Sequence, residues 1–304
     1  MGALLIVLSA IGFGAMAIFA KLAYGAGATV PTVLVGRFWL AAALLWAGLA
    51  LAGQPPRLAP RQALPFLAMG GVGYFGQSLC YFMALQFLDA ATTALLLYAY
   101  PALVVALAAL LRIERPTRAQ LAALGLAAVG CLLVLGGPTA PPDPRGVALA
   151  VAGATVYSGY ILVGSRLGGR APALVSSAYI LVGAAGSFAL FGVASGQLDL
   201  ALGSAGWLAI GAIAIVSTVV PVAAFLAGLG RVGPGRAAIL STAEPLTTVT
   251  LAALVLGETL EPVQLGGGAL IVLASLLAQR APRPRPTPLA ARRAGARSER
   301  EPAG

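Results

Sequence analysis

Apolar residues run almost unbroken for about twenty positions at a time along this chain, and its charges, prolines and glycines gather in the breaks between runs. A helix rises about 1.5 Å per residue and a bilayer core is about 30 Å thick, so each run is long enough to cross. The runs cover residues 3–22, 30–52, 63–86, 90–111, 118–136, 146–165, 173–195, 205–229, 235–256 and 263–279. A β-barrel needs alternating segments of about ten residues, whereas these runs are twice as long and rich in Leu and Ala. The pattern predicts an all-α integral membrane protein with ten transmembrane helices.

Composition supports that solvent. Of 304 residues, 60% are hydrophobic and 9% charged, with a mean hydropathy of +0.94, more apolar surface than a water-soluble fold can cover. With the N-terminus in the cytoplasm, sixteen cations fall on inside connections and the C-terminal tail, against Lys21 and Arg145 outside. That asymmetry predicts both termini in the cytoplasm, in a bacterial cell (inner) membrane. Residues 281–304 are expected to form a disordered basic cytoplasmic tail near anionic lipid headgroups, which accounts for the net charge of +10 without nucleic acid. The first run has no basic region before it and reads as a helix rather than a signal peptide. Cys80 and Cys131 read as reduced thiols packed inside helices, and the absence of His argues against an imidazole metal site; no cofactor is expected.

A shift of 144 residues lays Ala94–Leu121 over Ala238–Leu265 without a gap. Pro101 then falls on Pro245, Glu114 on Glu258, and Gln120-Leu121 on Gln264-Leu265. The chain therefore reads as two copies of a five-helix unit, residues 1–137 and 138–280. Because five is odd, the second copy must enter the membrane from the opposite side. Inverted repeats of this kind are typical of secondary transporters, with the site near the midplane where the halves meet.

These features resemble the drug/metabolite transporter superfamily in its ten-helix EamA-type branch. The resemblance rests on the duplicated unit, on "GRF" at residues 36–38, and on the pairs Pro101 with Glu114 and Pro245 with Glu258; it spans residues 3–279. It implies transport of small metabolites, with exporters of amino acids among the relatives, and an exporter is expected. Where many relatives have Trp in the first helix, this chain has Phe13.

One acid stands apart. Glu244 lies nine residues into the ninth run, roughly 14 Å deep in a ~30 Å core. An ionised carboxylate facing lipid there costs several kcal/mol, so it is expected to face a cavity or a partner. Ser241 and Thr248, at i−3 and i+4, share its face, and Pro245 leaves the Ser241 carbonyl without its helical donor. A carboxyl that exchanges a proton at working pH suits a proton-coupled carrier. The alternative is a structural kink whose acid is satisfied by hydroxyls or an Arg.

The 144-residue offset supplies further lining candidates. Tyr100 is the counterpart of Glu244. Tyr74, Gln77 and Tyr81 share one face of the third helix, and Thr218, Pro221 and Phe225 are their counterparts on the eighth. Tyr157 and Tyr160 match Phe13 and Met16. Each of these aromatics reads equally well as helix packing. Tyr24 and Tyr179 fit the membrane interfaces.

Other polar sites read as architecture. Glu114 and Glu258 end their helices ahead of a capping-box pattern (Thr117 to Gln120) and an N-cap with Pro (Glu261, Pro262), and are expected to cap or to pair with nearby Arg. Arg37, about 9 Å below the outer surface, reads as a snorkelling anchor or a partner for a carbonyl. An enzyme acting in the membrane would need clustered acids, His or an activated nucleophile, and one deep acid does not supply these. The expectation is a non-enzymatic carrier for a small molecule, with a non-transporting scaffold or a membrane-embedded enzyme as the alternative and homodimerisation open.

Overall fold

The computed structural model describes residues 1–304 except 55, 56, 137–140, 168 and 281–304, so the expected tail lies outside the described residues. Those described form helices and short connections, with no strand among them. Helical runs follow the predicted order: α1 (Gly2–Gly25), α2 (Val30–Leu51), α3 (Pro60–Ala68 continuing through Met69–Tyr74 and Phe75–Ala84), α4 (Ala90–Leu110), α5 (Arg118–Leu135), α6 (Pro144–Leu167), α7 (Ala173–Ser195), α8 (Ser204–Val232), α9 (Gly235–Leu256) and α10 (Pro262–Gln279). Nine of these, all but α3, are long and apolar enough to cross a membrane. In α3, glycines at 70, 71, 73 and 76, with Tyr74, Gln77 and Ser78, dilute the apolar residues. Large apolar side chains such as Leu110, Leu190, Leu208 and Leu254 stand exposed on the outside, as expected for a surface wetted by lipid.

Local chemistry explains the helix ends. The Thr29 hydroxyl accepts from the Thr32 N–H (3.3 Å) to open α2. Thr117 and Gln120 form the capping box that opens α5, and the Gln264 side chain accepts from the Glu261 N–H (2.9 Å) ahead of α10. Gly196 and Gly257 end α7 and α9 with φ of +64° and +68°, the left-handed conformation glycine adopts without penalty.

Helix contacts correspond under the 144-residue offset. α1 packs on α8 and α9, and α6 packs on α3 and α4; α2 packs on α7, and α5 on α10. The interruptions also correspond. α4 breaks at Tyr98 and Ala99, and α9 breaks at Thr242, the counterpart of Tyr98. π-helical turns, Met69–Tyr74 in α3 and Ile215–Val219 in α8, overlap under the same offset. Pro101 and Pro245 each follow the break in their helix, where a missing N–H makes interruption cheap.

A buried cluster including Leu34, Phe38, Phe82, Phe188, Ile210 and Ile213 joins α2, α3, α7 and α8. Small residues let backbones meet elsewhere. A β-carbon at Gly130 of α5 would lie 2.8 Å from the Gly267 oxygen of α10. Cys80 and Cys131 are free and partly buried, in α3 and α5.

Candidate functional site

Among α1, α3, α4, α6, α8 and α9 lies a cavity of about 570 Å³. Ser177, Leu229, Ala237, Ala238 and Gln279 line it at the end of the bundle where α8 turns into α9. Arg37, Tyr81 and Met16 line it farther along the bundle. Beyond them α1 is tied to α3 and the turn that follows it. The Lys21 ammonium donates to the Leu88 carbonyl (2.8 Å), and the Tyr24 hydroxyl to the Phe82 carbonyl (2.9 Å).

Glu244 opens the second segment of α9, Ala243–Leu251, directly after the break, and lines the cavity. The Ser241 carbonyl that Pro245 deprives of a donor accepts instead from the Tyr98 hydroxyl (3.1 Å), so the two broken helices are tied together at their breaks. Thr248 lines the same wall and donates to the Gly14 carbonyl of α1 (2.8 Å). A β-carbon at Gly14 would sit 2.6 Å from the Glu244 backbone oxygen, so α1 lies directly against the break.

The other expected lining residues converge on this space. Phe13, Tyr74, Gln77 and Tyr81 reach it from α1 and α3; Tyr100, Tyr157 and Tyr160 from α4 and α6; Phe225 and Ser241 from α8 and α9. The tyrosines form a continuous wall, with ring centroids 5.9 Å apart for Tyr98 and Tyr100, 4.7 Å for Tyr100 and Tyr157, and 6.0 Å for both Tyr157 with Tyr160 and Tyr74 with Tyr160. Thr218 is placed differently. It is 0% exposed, sits behind the wall and donates to the Ile213 carbonyl (2.9 Å) within the π-turn of α8. Pro101 and Glu114 lie on a second space of about 400 Å³ between α4, α6 and α10, with Gln120 and Gln279.

One charged residue departs from its expected role, and another fills its role at a distance. Arg37 does not snorkel. Its side chain is 1% exposed and turns into the bundle, while the next residue but one, Trp39, faces outward. The Arg37 Nε donates to the Thr218 hydroxyl (3.1 Å) and Nη2 to the Tyr74 hydroxyl (3.0 Å), so it is held by two residues that are counterparts in the two halves. The rings of Phe38, Phe82 and Tyr74 lie 4.7, 5.3 and 5.7 Å from its guanidinium carbon, contacts worth about 0.5 to 2 kcal/mol each. Its depth in α2 was legible; its direction was not, because α2 is apolar around most of its circumference.

Glu258 does cap, but not locally. Its carboxylate accepts from the Ala90 N–H (2.8 Å) and the Ala91 N–H (3.0 Å), closing the N-terminus of α4 from the far end of α9. Asp89, the residue positioned to cap α4 itself, makes no side-chain cap. A carboxylate on a separate helix satisfies those two donors, and no local motif could have announced it.

The sequence matches the EamA-like transporter family over residues 1–136 and 144–279. It is similar to an uncharacterized transporter, YcbK, of Bacillus subtilis, at 28% identity over 279 residues and 88% of each chain. It is also 30% identical over 226 residues to the threonine/homoserine exporter RhtA of Escherichia coli, covering 72% of each. An uncharacterized transporter of Archaeoglobus fulgidus is 30% identical over 277 residues, covering 90% of this chain and 95% of its own. One solved crystal structure shares the fold with a TM-score of 0.63 at 22% identity, over 96% of this chain and 98% of that one. The chain is a multi-pass membrane protein and belongs to the EamA-like transporter family.

Proposed function

We propose that this protein is a secondary carrier that exports small metabolites, amino acids or amine-bearing amphipaths, in exchange for protons by alternating access around the central cavity. The observation that carries this reading is Glu244, a carboxylate set at a helix break deep in the bundle, facing a cavity and without an ion-pair partner among the described residues. In that position a proton and a substrate ammonium compete for one acid, which couples their movements in opposite directions. The tyrosine wall offers faces to a cation and edges and hydroxyls to polar groups.

The architecture in this proposal is ten spans in two inverted five-helix repeats, residues 1–137 and 138–280, with α3 as the tenth span. Supporting it are the paired helix contacts and the helix breaks that correspond across the 144-residue offset. The cavity, with α1 tied to α3 and its following turn at one end by Lys21 and Tyr24, is then one of two states exchanged by swapping the conformations of the repeats. RhtA, named as a threonine/homoserine exporter, directs the choice of first substrates.

Counterflow in proteoliposomes, with and without a pH gradient, tests the function. Exchange of radiolabelled L-threonine, L-phenylalanine or other amino acids, accelerated by a proton gradient of the correct sign, is the expected result. Exchange confined to phosphorylated sugars or dicarboxylates would contradict it. Orientation is tested separately in intact bacterial cells with single cysteines. Position 143 should react with an impermeant thiol reagent and position 57 should stay protected. The reverse pattern would overturn the placement of both termini in the cytoplasm of an inner-membrane protein.

A further inference from the structure

Arg37 and Glu244 line one cavity, and neither has a counter-ion: among the described residues the only ion pair is Arg145 with Asp143, at the surface. A buried guanidinium normally sits against a carboxylate, because hydroxyls and ring faces offset only part of its lost hydration. Here Thr218 takes Nε and Tyr74 takes Nη2, leaving the remaining donors of the fork without an acceptor among the described residues. We propose that Arg37 binds the carboxylate of the transported molecule, and that with Glu244 it selects small zwitterions, α-amino acids, held between a fixed cation and an exchangeable acid. The inference rests on the transport reading above and assigns its substrate class to a residue. It explains two features together: an Arg turned inward from a helix that could have let it snorkel, and its suspension between counterpart residues on two π-turns. Held by both halves, the cation keeps its place as the halves move, so the carboxylate can be grasped from either side.

The test compares L-threonine and L-phenylalanine with their carboxamides, which keep the ammonium and lose the anion. In the parent, half-saturation for each amide should be about tenfold or more above that of its acid, the effect of one charge-assisted pair. Arg37→Gln should raise half-saturation for the acids to that level and move the amides less than about twofold, with Arg37→Lys between. Thr218→Val, which only loosens Arg37, should weaken acids more than amides and gives a second reading if Arg37→Gln fails to assemble. A parent that takes acid and amide equally, or variants that weaken both alike, would leave Arg37 a structural cation and the transport reading intact. A parent that exchanges no amino acid at all would overturn both.

A separate observation concerns the tied end. Glu258 clamps the N-terminus of α4, yet among the described residues its counterpart Glu114 makes no such bond to the N-terminus of α9, where Pro234 and Gly235 are the equivalents of Ala90 and Ala91, so that the Gly235 N–H is the one equivalent donor left, with the Arg236 N–H beside it. The N–H of Glu114 is bonded to the Ala108 carbonyl and that of Glu258 to the counterpart Ala252 carbonyl. We infer that the two glutamates are alternating latches: Glu258 holds one end shut in the conformation described, and Glu114 holds the other when Glu258 lets go. A cysteine at Ala94, on the cavity wall near the latched end, reports the exchange through its labelling rate from that side, in a background lacking Cys80 and Cys131. Glu258→Ala should raise that rate about threefold or more and Glu114→Ala should lower it, a difference of sign that lost stability alone does not produce. Equal or same-sign changes would refute the latch.

Discussion

Replacing Glu244 by Gln is expected to abolish accumulation driven by a pH gradient while the protein still reaches the membrane and still exchanges substrate downhill at a reduced rate. Gln has the size and hydrogen-bonding capacity of the acid but takes up no proton. The surroundings predict tolerance of the change: the carboxylate faces a cavity, and neither the Tyr98–Ser241 tie nor the Thr248–Gly14 bond passes through its side chain. Fluorescence of a pH-sensitive dye inside proteoliposomes, followed as substrate is added, measures the coupling. Proton movement as steep as the parent's would reduce Glu244 to a feature of the kink at Pro245.

The largest stability effect is expected where α3 and α7 cross. A β-carbon at Gly70 would run into the Ile180 carbonyl, and one at Gly183 into the Leu67 carbonyl, so each helix sits in a notch of the other. Backbone cannot swing aside as a side chain can. Gly70→Val or Gly183→Val should therefore cost about 3 kcal/mol or more, the upper end of overpacking effects. Gly186→Ala, on the same helix with nothing nearby, should leave the melting temperature unchanged or slightly raised. The readouts are melting in detergent and the monodisperse fraction on a sizing column. A Gly70→Val protein that melts with the parent would mean that the crossing is looser than described.

The helices were legible because the chain punctuates itself. Val30–Leu51 and Ala173–Ser195 end within a residue of the apolar runs predicted for them, since Pro, Gly and Arg mark the interfaces that a bilayer imposes. α3 was the least apolar run because its inner face is spent on glycine contacts, Tyr74 and Gln77. The same 144-residue offset pointed to most of the residues that line the cavity. It misplaced Thr218, which is buried against Arg37 and does not line the cavity that its counterpart Tyr74 lines. Arg37 itself, the reach of Glu258 to α4 and the Tyr98 hydroxyl on the Ser241 carbonyl were hidden for one reason. Each joins residues at least 143 positions apart, apart from the bond of Arg37 to Tyr74, and depends on which way an almost uniformly apolar helix is turned.

The hold on Arg37 also bears on how the chain is made. Tyr74 emerges from the ribosome soon after Arg37, but Thr218 is 181 residues away, many seconds of synthesis. Through that interval α2 must sit in the bilayer carrying a charge that opposes insertion, by less than the about 2.5 to 3.5 kcal/mol it would cost at mid-depth because it lies about 9 Å from the surface. The π-turn hydroxyl that completes its shell belongs to the second half, so the first half alone is a strained insertion intermediate. Expressed without residues 138–280, it should be the half that quality-control proteases remove, and supplying the second half as a separate chain should rescue it.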